Sequence, residues 1–172
     1  MTVIVPRQSS RSKTERDISP TADSLVAAWE TLRWIGWIFF VMSMVDLALG
    51  WVPVNFGTPE WEFGTFSATF SGLAIPTLSL YLILAASLAT DRPPSIKAVG
   101  WMMVLLAIAL VGVCLVYLTS VPLALKSVAT NASVYLGLKK SVFKSLMLFV
   151  GYEILYVWGA LRGLRPGSAR NR

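Results

Sequence analysis

The stretch VGWMMVLLAIALVGVCLVYLT, residues 99–119, runs for 21 residues without a charge. At 1.5 Å per residue it covers about 30 Å, the hydrocarbon thickness of a bilayer, and in lipid such a segment must be a helix, because only intrahelical bonds satisfy its backbone N–H and C=O groups. Lys97 precedes it, and Pro122 breaks or bends the chain just after it. Three weaker segments of the same kind flank it. Residues 34–50 form the first, interrupted by Asp46 near its far end. Leu25, Trp29, Leu32 and Gly36, at spacings of three and four, give it an amphipathic lead-in that Asp23 or Ser24 can cap. Residues 73–89 form the second, with Pro76 close to its start and Asp91-Arg92-Pro93-Pro94 stopping it. Residues 146–161 form the last, short enough that Lys144, Arg162 and Arg165 must snorkel to the headgroups.

The predicted fold is an all-α integral membrane four-helix bundle over residues 21–165, with crossings at 34–50, 73–89, 99–119 and 146–161. A disordered polar tail over residues 1–20 precedes it, and a basic tail, residues 166–172, follows. Composition agrees: 55% of the 172 residues are apolar and 14% charged, with a mean hydropathy of +0.65, which excludes an ordinary water-soluble domain and a disordered chain. The polar, charged first 33 residues predict no cleavable signal peptide.

The same composition excludes much chemistry. There is no histidine, hence neither the commonest general base nor the commonest metal ligand, and the single cysteine, Cys114, cannot close an intrachain disulfide. No CxxC, P-loop or GxGxxG motif occurs, and no lysine within a crossing is at hand to activate a hydroxyl. The expectation is a protein with no enzymatic activity, no catalytic residue, no metal and no cofactor. The net charge of +6 lies outside the apolar runs and forms no basic stripe with interleaved aromatics, so it is read as membrane orientation and not as nucleic-acid binding.

With four crossings both termini share one side. The two tails and the loop between the second and third crossings hold eleven Lys and Arg residues, against four on the opposite side (Lys126, Lys139, Lys140, Lys144), so the positive-inside rule places the termini in the cytoplasm, in a bacterial inner membrane. The loop 51–72 is then exported. It carries Trp51, Phe56, Trp61, Phe63 and Phe66 with Glu60 and Glu62, a set able to stack on a sugar or a partner's apolar surface while the acids accept hydrogen bonds, or to anchor the chain as an aromatic belt. Its two acids are expected to meet the lysines of the loop 121–145, which mixes apolar residues and lysines as a surface helix does.

Two acids fall within crossings. Asp46, near an interface, can brace the loop beginning at Trp51. Glu153 lies about eight residues from each end of its crossing, where a carboxyl group costs several kcal/mol unless it is protonated or paired, and such residues mark hydrogen bonds, contacts between subunits or ion relays. Gly151, Gly159 and Gly163 offer a small-residue face for close helix packing.

Asp46, Pro53, the run Pro59-Glu60-Trp61-Glu62-Phe63, and Pro76 opening the next helix resemble the HpsJ-like family of small bacterial membrane proteins, linked to polysaccharide secretion in cyanobacteria. The resemblance spans residues 46–76 and implies an accessory membrane protein without catalytic residues. The expected function is a non-catalytic accessory or scaffolding subunit of a membrane complex. It would contact the lipid bilayer and other membrane protein subunits through its helices and the aromatic acidic loop. The alternatives are a small proton or cation channel or transporter subunit using Glu153, and an accessory factor for polysaccharide export, with polysaccharide or lipid contact at the loop.

Overall fold

Five helices follow one another with short connections: α1 (Ser19–Leu49), α2 (Pro59–Gly72), α3 (Ala74–Ala89), α4 (Pro93–Ser127) and α5 (Ala132–Leu164). The computed structural model describes residues 19–55 and 57–165, and no strand occurs among them. Local chemistry sets the helix starts. Prolines occupy the first positions of α2 and α4, where no N–H is needed, Glu60 and Glu62 lie in the first turn of α2 against its positive dipole end, and the Asn131 side chain accepts from Val134 N at the start of α5. Pro76 falls in the first turn of α3, where its missing N–H is tolerated.

Among the described residues, four segments are long and apolar enough to cross a membrane: Asp23–Leu49, Glu60–Ala89, Pro93–Ser127 and Ala132–Leu164. The chain is a multi-pass helical bundle, and α2 and α3 together make one crossing, interrupted only at Leu73.

The boundaries differ from the sequence expectation in three places. Helix α1 starts at Ser19, so Asp23 and Ser24 lie inside it and do not cap it; residues 1–18 and 166–172 lie outside the described residues. The expected loop 51–72 is helical from Pro59 onward. The expected surface helix over 121–145 does not exist as a separate element: α4 continues through Pro122 to Ser127, the chain turns over residues 128–131, and α5 begins at Ala132. Just before Pro122, Thr119 Oγ1 donates to the Val116 carbonyl (2.7 Å) and Ser120 Oγ to the Tyr117 carbonyl (2.9 Å), so both hydroxyls are satisfied within their own helix.

At 35 and 33 residues, α4 and α5 are about 50 Å long, some 20 Å more than the hydrocarbon requires. The surplus lies at one end. Arg92, Lys97 and Arg162 stand close to the helix ends on the side of the chain termini, together with the exposed Trp101 and Trp158, while Arg33 and the exposed Trp34 lie midway along α1, whose Glu30 pairs with both Arg33 and Arg92. The far ends of α4 and α5 carry α2 packed on both.

The α2–α3 rod is the most buried crossing. Helix α1 packs chiefly on α3, where Gly36 meets Ile83 and the Ser79 carbonyl, and α5 packs chiefly on α4. Lipid tails are as apolar as leucine, so these contacts are held by close packing and hydrogen bonds more than by a hydrophobic drive. The large apolar side chains left outside, among them Ile38, Phe39, Met42, Leu105, Ile108 and Ile154, face the bilayer.

Candidate functional site

The aromatic residues of the expected exported loop pack against the bundle. Trp51 Nε1 donates to Thr69 Oγ1 (3.1 Å), and its ring meets Trp61 and Phe66 edge to face at 6.3 and 5.3 Å. Phe66 is 1% exposed, and Phe63 stacks on Tyr117 at 5.5 Å. Helix α2 turns these side chains inward because residues 63, 66 and 70 recur at three and four; read as a loop, the same sequence shows no such face. Phe56 lies outside the described residues. Glu62 Oε1 accepts from Gly57 N (2.9 Å), closing the turn in which Gly57 takes a positive φ of 91°, and Glu60 is exposed. Neither acid pairs with Lys126, Lys139, Lys140 or Lys144. The ion pairs among the described residues are Glu30 with Arg33 and Glu30 with Arg92 (2.7 Å), while Lys139 sits over the Tyr135 ring at 4.6 Å. Asp46 is exposed in the last turn of α1.

Two polar groupings carry no sequence motif. On the terminal side, Glu30 of α1 joins the buried Arg33 to Arg92, which precedes α4, and so ties two crossings at the interface. Toward the opposite end, Ser67 of α2 meets Ser141 (3.4 Å) and Ser145 (3.0 Å) of α5, and nearer the middle Thr77 of α3 shares a hydrogen bond of 2.8 Å with Tyr156 Oη. The serine set is invisible in sequence because its members are 74 and 78 positions apart.

Glu153 sits mid-helix on α5, half-buried. Its Oε1 is shielded from solvent and has no hydrogen-bond partner among the described residues. Around it, Ile154, Val157, Trp158 and Leu161 line a shallow apolar surface that opens outward. Gly151, nearly opposite Glu153 around the helix, leaves open space, with nothing within 4 Å of where a Cβ would stand. Gly159 and Gly163 face α4. A Cβ on Gly159 would meet Met103 Sδ at 2.2 Å, so any larger residue there requires the α4 methionine to move. On the side of α5 toward α4, a second apolar groove of about 420 Å³ runs between the two helices, with Val104, Ala107 and Ile108 on one wall, Tyr156, Val157, Ala160, Leu161 and Leu164 on the other, and Arg165 at its end. No group of three or more His, Cys, Asp or Glu residues able to hold a metal occurs among the described residues.

Comparison of the chain with protein-family models, with curated proteins and with solved structures gives no significant match. The functional reading therefore stands on the geometry.

Proposed function

We propose that this chain is a non-catalytic accessory or scaffolding subunit that docks laterally on another membrane-embedded protein through the outward face of α5. The observation that carries this reading is the orphan Oε1 of Glu153, a carboxyl oxygen held away from water within the bilayer segment and given no partner by any of the described residues. A polar group in that position is costly until a neighbour supplies a hydrogen bond, and a donor on a partner helix is the economical source. The exposed Ile154, Val157, Trp158 and Leu161 beside Glu153 give a second helix an apolar surface to lie on. The occupant is a transmembrane helix with a hydrogen-bond donor near mid-bilayer. The excess of Lys and Arg on the terminal side supports cytoplasmic termini in a bacterial inner membrane.

A photo-crosslinking side chain in place of Ile154, activated in native membranes, tests the docking. A discrete heterologous adduct is expected, and Glu153→Leu should abolish it while Glu153→Gln, which keeps a hydrogen-bonding group, should retain part of it. A chain that purifies as a monodisperse monomer and gives no adduct overturns the reading.

The same orphan oxygen also favours a second reading, a proton or cation site. Liposome flux that collapses on Glu153→Gln would establish it; absence of flux in the native chain removes it.

A further inference from the structure

The groove between α4 and α5 is a different surface from the outward stripe of α5, separated from it by the Val157–Leu161 ridge, and it has its own chemistry. The two helices touch at Gly100 and Gly163, where the Gly163 carbonyl carbon would lie 3.2 Å from a Cβ on Gly100, and the groove opens beside that line of contact. The space that opens is lined almost wholly by carbon, and the exposure of Ile108, Val157 and Leu161 places its mouth against lipid tails.

Two cations lie toward the terminal-side end of this groove, Arg165 in its lining and Lys97 on the helix opposite. Arg165 lines it from α5. On α4, Lys97 stands seven and eleven residues before Val104 and Ile108, the spacing that keeps side chains on one helix face, so the stripe facing the groove begins with an exposed lysine at the headgroup level. Trp101 lies between them on the same stripe, 60% exposed, where an indole belongs at an interface. No acidic side chain lines the groove or pairs with either cation among the described residues.

An apolar slot open to the bilayer, with Arg165 in its lining and Lys97 at the start of the facing stripe of α4, matches the two ends of one molecule. We infer that the α4–α5 groove is a binding site for an anionic phospholipid, an acyl chain lying along Val104, Ile108, Val157 and Leu161 and the phosphate held between Lys97 and Arg165. This goes beyond the docking role proposed above and does not depend on it.

The test is native mass spectrometry of the full chain purified in mild detergent and incubated with equal amounts of phosphatidylglycerol and phosphatidylcholine. The native chain should retain phosphatidylglycerol in clear preference. Lys97→Gln with Arg165→Gln should reduce that preference by about tenfold or more, the order expected of two cations acting on one headgroup. Arg162→Gln should leave it unchanged, because Arg162 lies 5.0 Å over the Trp158 ring and does not line the groove. Ala107→Phe, which fills the slot, should reduce retention of both lipids; should that variant fail to fold, Arg165→Gln alone, a surface change, still decides the matter. Equal retention of the two lipids by the native chain, or a preference untouched by loss of both cations, would overturn the site.

Discussion

Gly163 of α5 lies so close to Gly100 of α4 that a Cβ on Gly163 would fall 2.9 Å from the Gly100 Cα and 3.0 Å from the Ile96 carbonyl oxygen. Backbone meets backbone at this point, and no side chain can yield to make room. Gly163→Ala should therefore destabilise the bundle by about 1–3 kcal/mol, the usual cost of overpacking. Gly151→Ala should be neutral or stabilising by up to about 1 kcal/mol, since its Cβ meets open space and alanine favours the helix. Thermal unfolding of both variants in detergent separates the two outcomes, and equal effects would mean that the crossing is not tight.

Tyr156 and Thr77 form the central hydrogen bond between α5 and α3. Thr77 Oγ1 also bonds the Leu73 carbonyl of its own rod at 2.7 Å, so it is not orphaned when the tyrosine hydroxyl goes. Tyr156→Phe should accordingly cost only about 0.6 kcal/mol, typical of hydrogen bonds between membrane helices, and a double-mutant cycle with Thr77→Val should give a coupling below about 2 kcal/mol. A coupling near zero would place the two hydroxyls out of contact.

Glu30 holds two cations of unequal burial. Arg33 is buried, whereas the Arg92 side chain is 54% exposed. Glu30→Ala leaves the Arg33 guanidinium without its carboxylate and should cost about 1–3 kcal/mol, while Arg92→Ala removes an exposed contact and should cost less than about 1 kcal/mol. Reversal of that order in chemical unfolding would show that α1 is tied down through Arg92 instead.

Residues 99–119 disclose the architecture by themselves, because a long uncharged run admits one backbone solution in lipid. The helix ends are less legible for a related reason. Residues 120–127 and 132–145 are polar or lysine-bearing enough to fall below a membrane threshold, yet they are helical because α2 packs on them, and a contact between segments some 75 positions apart leaves no local trace. Prolines misdirect in the same way. Pro59 reads as a breaker and is in fact the first residue of a helix, and Pro122, which reads as a break or bend, lies inside α4. Glu153 is legible as an isolated acid, but which neighbour satisfies it is not, because hydrogen-bond partners in a bundle come from other helices.

Because α4 and α5 exceed the bilayer, their shared turn should stand clear of it. Lys126→Cys and Ser133→Cys, at the far ends of these helices, are expected to react with a membrane-impermeant maleimide applied to the side opposite the chain termini. Ile108→Cys, exposed on the outer surface yet midway along α4, should resist it. A helix of 35 residues with one end fixed by Lys97 at the interface carries its other end roughly 15 Å past the hydrocarbon boundary, provided it is not steeply tilted. Labelling of all three positions would mean that water reaches the middle of α4, and labelling of none would mean that the long helices lie tilted with their turn drawn into the headgroups. Labelling of Lys126→Cys and Ser133→Cys from the cytoplasmic side would invert the bundle, and the eleven-to-four count of basic residues would then have to yield to the four lysines of the far hairpin.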